Sequence, residues 1–164
     1  SLHTRSSHRP SQKSARFINR WRRRQRRGLT MQDSIFTKII KGEIPCHKVY
    51  EDTKTIAFLD IYPIQPGHVL VVPKIQVDHF DDLSPEDYAA LFNTVQKVAK
   101  QVKSALSATR ACLRVEGFDV PHAHVHVIPC NVANDFYNAN RMQQEPDHAR
   151  LAKKKKKLYI KGGE

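Results

Sequence analysis

The sequence predicts an α+β domain, an antiparallel sheet covered by one long helix. Three observations point there. Short apolar runs alternate with Pro- and Gly-marked turns through the first half of the chain. The connections between those runs are too short for the crossover that a parallel pair needs, so the strands must run antiparallel. One stretch, beginning at Ser84, instead carries apolar residues at helical spacing over several turns.

The elements follow in order. Ser34 is placed to cap a short helix, Ile35–Lys41, which Gly42 ends, with Ile35, Phe36, Ile39 and Ile40 on its apolar side. Pro45 forces an extended path into a strand over Lys48–Glu51. Asp52-Thr53 turns the chain into a second strand, Thr55–Asp60. Pro63 and Pro66-Gly67 mark a loop before a third, His68–Val72, closed by Pro73. Ser84 as N-cap, Pro85 at the first helical position and Glu86 and Asp87 in the first turn start the long helix. Its stripe of Leu91, Val95, Val98, Val102 and Leu106 covers one sheet face. Arg110–Glu116 and His122–Pro129 are the last strands, with Gly117-Phe118-Asp119 turning between them. The Asn-rich stretch from Cys130 to Asn140 predicts a loop. Glu145–Lys157 predicts a last helix with a solvated lysine run and a frayed end. The chain thus divides into a disordered basic extension (1–32), a globular domain (33–140) and a C-terminal helix with a Lys-rich tail (141–164).

The 164 residues suffice for one domain with its own core. No apolar run approaches the roughly 20 residues that span a bilayer, so no membrane partner is expected. Cys46, Cys112 and Cys130 are scattered without CxxC spacing, which fits a reduced cytoplasmic setting rather than a disulfide framework. The net charge of +12 is unevenly spread: residues 1–32 hold ten Lys/Arg and no Asp/Glu, leaving 18 basic against 16 acidic residues elsewhere. Any nucleic-acid partner must therefore use that extension, because the body has no basic excess to offer. Three readings of residues 1–30 stand: sequence ahead of a start at Met31, an organelle-targeting segment, or a nucleic-acid-binding arm.

The chemistry concentrates in Pro121-His122-Ala123-His124-Val125-His126-Val127-Ile128-Pro129. The alternation is that of a strand with Ala123, Val125 and Val127 facing a core and three histidines on the other face, imidazoles roughly 6.5–7 Å apart. Such a row is a poor way merely to stabilise a sheet, because charged neighbours repel and buried nitrogens need partners. Imidazole suits phosphoryl chemistry near neutral pH, as nucleophile, proton donor or phosphate ligand. Metal binding is the rival reading, since His-x-His supplies ligands in zinc and iron enzymes. The third histidine and the lack of a well-placed acidic partner favour phosphate. The other histidines of the chain, His3, His8, His47, His79 and His148, are expected at the surface, His68 excepted.

His122 to Ile128 match His-φ-His-φ-His-φ-φ, with φ apolar, and the chain resembles the histidine-triad (HIT) superfamily of nucleotide hydrolases and transferases. A second block agrees: Ile35-Phe36-x-Lys38-Ile39-Ile40-x-Gly42-Glu43-Ile44-Pro45, then Ala57-Phe58-Leu59-Asp60-Ile61, then Pro66-Gly67-His68 through Lys74. The likeness covers roughly residues 33–130 and is nearest the Hint branch. It implies a five-stranded antiparallel sheet with a long helix and a short N-terminal one, paired as a two-fold homodimer. It implies a purine nucleotide conjugate as substrate, whether phosphoramidate, dinucleoside polyphosphate or acyl-adenylate, and release of a nucleoside monophosphate without metal or other cofactor. His124 would be the nucleophile and form a nucleotidyl-histidine. His122 would orient it through a backbone carbonyl, and His126 would contact the phosphate or departing group. His68 would face the phosphate and Asp60 would accept both ribose hydroxyls. Ile35, Phe36, Ile39, Ile44, Phe58 and Ile61 would line the base slot. One segment departs from the pattern: Val115 to Pro121 lacks the Asn-x-Gly and Gly-Gln-Ser/Thr elements that touch phosphate and leaving group. Asp119, where the Hint pattern has a Ser, either handles a proton or caps the turn. A nucleotide-sensing or nucleic-acid-binding protein that uses the basic extension and has lost turnover is the remaining alternative.

Overall fold

The computed structural model describes residues 32–137 and 145–162. The disorder expected for 1–32 falls outside them except at Gln32, as do residues 138–140 of the Asn-rich stretch. Helix α1 (Ile35–Ile40) begins where the Ser34 side chain accepts the Thr37 N–H, and Gly42 ends it at a φ of +76°. There follow strands β1 (Lys48–Glu51), β2 (Thr55–Leu59) and β3 (Val69–Pro73), a 3-10 turn (Phe80–Asp82), and helix α2 (Pro85–Leu106). Strands β4 (Arg110–Arg114) and β5 (Val125–Cys130) and helices α3 (Ala133–Tyr137) and α4 (His148–Leu158) complete the order. The strands form one sheet, β1-β2-β3-β5-β4, antiparallel at every pairing. This is the α+β fold and five-stranded antiparallel sheet expected.

Register assigns the two faces. Phe58 lies opposite Leu70, Leu70 opposite His126, and His126 opposite Arg114. Directly opposed residues share a face, so these side chains stand together, with Ile56 and Val72 in the same apolar cluster as Phe58 and Leu70. The alternate residues Ala57, Leu59, Val69, Val71, Val125 and Val127 face the other way into the main core. There they meet the α2 stripe of Leu91, Val95, Val98 and Val102. Both faces are thus covered, and β2, β3 and β5 are buried along their whole length.

Several elements differ from those the sequence predicts, the last helix among them, which starts at His148 rather than Glu145. The last strand begins at Val125, because the ladder with β3 stops at the Val71–Val125 pair. Before it, Ala123 N–H donates to the Val77 carbonyl (2.7 Å) and His122 N–H to that of Val120 (2.8 Å). Strand β4 ends at Arg114 rather than Glu116. Part of the predicted Asn-rich loop is helical instead: the Asp135 carboxylate accepts the Asn131 and Val132 N–H groups at 2.8 and 3.1 Å, closing the first turn of α3. The C-terminal end is not frayed through the described residues. Leu151 and Leu158 join the main core, and Ile160 N–H donates to the Val49 carbonyl at 2.8 Å. Gly162 runs so close to β1 that a Cβ there would collide with the Glu51 carbonyl.

Leu158 is 1% exposed. Leu158→Ala should cost about 2–5 kcal/mol in denaturant unfolding, the range for truncating a buried leucine. A cost below about 0.5 kcal/mol would show that α4 is peripheral to the fold.

Candidate active site

Four imidazoles converge beneath α1 and beside the β2–β3 connection. His126 comes from β5 itself; His122, in a bend, and His124 sit on the segment just before it. His68 precedes β3 and Asp60 follows β2, and the Asp60 N–H donates to the His68 carbonyl at 2.9 Å. The side chains therefore depart from an evenly spaced row. The His124 and His126 rings are 5.0 Å apart, and His68 and His126 5.1 Å apart, centre to centre. His122 turns away toward α1 and the end of β3.

Hydrogen-bond partners fix the tautomers, because a carbonyl only accepts and a backbone N–H only donates. His124 Nδ1–H donates to the His122 carbonyl at 2.7 Å, which puts the lone pair of the ring on Nε2. His122 Nε2–H donates to the Pro73 carbonyl at 2.8 Å, so its Nδ1 accepts from the Ser34 hydroxyl at 2.7 Å. Ile64 N–H donates to His68 Nδ1 at 3.1 Å. His68 must then carry its proton on Nε2 and donate to His126 Nδ1, 2.9 Å away. That leaves His126 with its proton on Nε2, and among the described residues this is the buried side-chain polar atom without a partner. An orphaned buried N–H beside an available imidazole lone pair is the arrangement of a site awaiting an anion.

Electrostatics agree. Burial, then the neighbouring charges of His124 and Arg114, brings His126 down to about 4. Burial also holds His68 well below the ordinary imidazole range, helped by His126 and Arg114. Burial lowers His122 as well, partly offset by its bond to the Pro73 carbonyl. Asp60 moves the other way: burial raises it to about 6, against the Tyr62 N–H bond at 2.8 Å that favours its charge.

Of the expected slot residues, Phe36 and Phe58 are buried and 5.6 Å apart, with Ile39 packed against their cluster. Phe36 also meets His124 edge-on at 5.0 Å. Ile44 is half-buried, while Ile35 and Ile61 are exposed. Asp119 is exposed and makes none of the site's hydrogen bonds. An acidic partner does exist beside the histidines: ligand atoms of Asp60, His68 and His126 all lie within 4.8 Å of one another. A metal there would have to break the His68–His126 bond, which already satisfies both nitrogens.

The HIT-domain family model matches residues 41–132. The chain belongs to the HIT-domain family. It is 40% identical over 96 residues to the adenosine 5'-monophosphoramidase of Schizosaccharomyces pombe, covering 58% of this chain and 72% of that protein. It is 34% identical over 122 residues to the asymmetrical bis(5'-nucleosyl)-tetraphosphatase of the same yeast, covering 70% and 64%. Among solved structures, a Hit-like protein from Bartonella henselae superposes with a TM-score of 0.68 at 33% identity, over 78% of this chain and 95% of that one.

Two groups of residues escape a reading of the motif. Arg114 stands opposite His126 on the site face, its Nη2 donating to the Phe136 carbonyl at 3.1 Å and its guanidinium 5.1 Å from the Phe136 ring. Counting the β4–β5 register from the triad would have found it. Ser34, Thr37 and Gln76 surround His122, and no spacing rule signals them, because they come from opposite ends of β1–β3.

At pH 6, nitrogen-15 spectra of the imidazoles should show His68 and His126 neutral with the proton on Nε2. Both are held below the ordinary imidazole range, so protonation comes only as pH falls further. A doubly protonated His126 at pH 6 would contradict the relay described above.

Proposed function

We propose that this HIT-domain chain is a nucleotide hydrolase or nucleotidyl transferase that attacks the α-phosphorus of a purine nucleotide conjugate through His124. The observation that carries this reading is the 2.7 Å bond from His124 Nδ1–H to the His122 carbonyl. It leaves Nε2 nucleophilic in a ring 5.0 Å from that of His126, whose own Nε2–H lacks a partner. His124 Nε2 forms a bond to phosphorus, and the bond to the leaving group breaks with its electron pair departing on that group. His126 Nε2–H donates to the phosphate or the departing atom, and Arg114 adds positive charge nearby. Water then forms the new P–O bond, its proton goes to solvent, and His124 leaves as neutral imidazole, releasing a nucleoside monophosphate. His68 fixes the His126 tautomer. Asp60, ionised above about pH 6, accepts the ribose hydroxyls, and Phe36, Phe58 and Ile39 flank the base.

The activities named for the two yeast relatives, a monophosphoramidase and a tetraphosphatase, support the same reaction centre with different leaving groups. A two-fold dimer fits β4, an edge strand of the sheet that carries the exposed Leu113. No described helix is long and apolar enough to cross a membrane.

His124→Asn should lower turnover at least about 10³-fold while nucleoside monophosphate still binds. Asp60→Ala should weaken ribonucleotides about tenfold and 2′-deoxyribonucleotides much less, the loss expected when a charged acceptor is removed. Calorimetric titration with both ligands and rapid-quench kinetics test the pair. Near-normal rates in His124→Asn would reject the nucleophile, and equal losses for both sugars would reject the Asp60 role.

The cluster of Asp60, His68 and His126 favours one further reading, a metal-dependent hydrolase. Chelator treatment is expected to leave turnover intact. Turnover abolished by chelation and restored by zinc would replace the imidazole mechanism with a metal one.

A further inference from the structure

His122 is fully buried, and both of its ring nitrogens are committed. Its Nδ1 needs a donor, because Nε2–H already serves the Pro73 carbonyl. Two hydroxyls lie near. That of Thr37 is 3.4 Å away and is engaged with Gln76 Oε1 at 2.5 Å. That of Ser34 is 2.7 Å away. The Ser34 oxygen accepts the Thr37 N–H at 3.0 Å, and its own proton has two acceptors in reach, Thr37 Oγ1 at 3.2 Å and His122 Nδ1 at 2.7 Å, of which His122 is the nearer. Gln76 Oε1 also takes the Ser34 N–H at 2.9 Å, which fixes the serine from its backbone side. Two residues on, Phe36 lies edge-on to His122 at 5.8 Å and to His124 at 5.0 Å. The residue whose ring is gripped by Ser34 is the one whose carbonyl holds His124 Nδ1–H.

We propose that Ser34, braced by Thr37 and Gln76, is a positioning residue for the reaction: its hydroxyl locks the His122 ring and thereby the carbonyl that aims His124. The role of His124 rests on the function proposed above; the clamp itself does not. Ser34 touches no reacting atom. It couples the first turn of α1 to the triad, so that forming the helix cap and setting the nucleophile are one event.

Helix capping and proton donation separate by substitution. Ser34→Asp keeps an oxygen that caps the helix, but a carboxylate has no proton for His122 Nδ1. Ser34→Thr keeps both functions. Ser34→Gly removes the hydroxyl alone at little cost to the cap, and serves if the aspartate variant does not fold. With an adenylated substrate panel, Ser34→Gly should lower kcat about tenfold with KM within about twofold, the scale of a misaimed catalytic group, whereas Ser34→Asp, whose carboxylate holds the ring only while His122 Nδ1 carries a second proton, should lose rate more at high pH than at low pH. Ser34→Thr should restore the rate. Nitrogen-15 spectra should show His122 with its proton on Nε2 alone in the parent. In Ser34→Asp a second proton should join it, and the His124 Nδ1–H resonance should shift. Unchanged kcat and unchanged His122 and His124 resonances in both variants would overturn the clamp, as would a fall in kcat no larger than the loss of folded protein. If the parent hydrolyses nothing, the functional reading fails while the spectra still decide the clamp.

Discussion

Burying four imidazoles in one place is possible only if nearly every ring nitrogen finds a complementary partner. An unpaired buried donor or acceptor costs about 1–3 kcal/mol, and a buried imidazolium costs more. Here the partners come from fixed backbone groups: the carbonyls of Pro73 and His122 and the N–H of Ile64. Each backbone group dictates which nitrogen carries the proton, and the choice passes along His68 to His126. The site is therefore wired before any substrate arrives. The single orphaned proton is what remains when all the other demands are met. A rigid cluster of this kind, with one buried N–H left over, needs little reorganisation to receive negative charge, which is where the catalytic advantage would lie on the proposed reaction.

The sheet makes that wiring stable. One face packs on α2 and carries the cohesive energy of the fold, and the other is freed to hold polar groups. Because β5 sits between β3 and β4, His126 has Leu70 on one side and Arg114 on the other. The β2–β3 connection brings Asp60 and His68 to the same end. Helix α4 contributes from the far side: Leu151 and Leu158 complete the core against which the site strands are backed.

Much of this was legible in the chain. Alternation in Ala123, Val125 and Val127 correctly assigned the core face, since each lies in the main core. Proline and glycine at the turns placed the strands to within a residue or two, except the start of the last strand, which lies three residues later, at Val125. Side-chain direction at His122 was not legible, because alternation predicts a row only while the strand is paired. Pairing begins only at Val125, and at His122, three residues earlier, the Pro73 carbonyl and Ser34 set the ring's direction. The short helix α3 was hidden by its asparagines, whose turn propensity is overridden by one carboxylate, Asp135, closing the first turn. Ser34 shows most clearly where sequence reasoning stops. Its capping role follows from position alone, whereas its second bond reaches a residue 88 positions away.

The absence of the Asn-x-Gly and Gly-Gln-Ser/Thr elements from the loop before the triad takes on a physical meaning once Arg114 is located. On the proposed reaction, amide and hydroxyl donors of the kind missing from Val115–Pro121 would stabilise a leaving group of any charge through neutral hydrogen bonds. A guanidinium is different: it is always charged, and its attraction favours a departing group that carries negative charge. Burial, with smaller contributions from His124 and Arg114, keeps His126 neutral, so the Nε2–H of that ring is a hydrogen-bond donor rather than a strong acid. A neutral imidazole cannot readily supply the full proton that an amine requires on departure, while an oxyanion needs only stabilisation. On the proposed reaction, charge from β4 in place of donors from the loop would shift the chemical demand from protonating the leaving group to holding its charge.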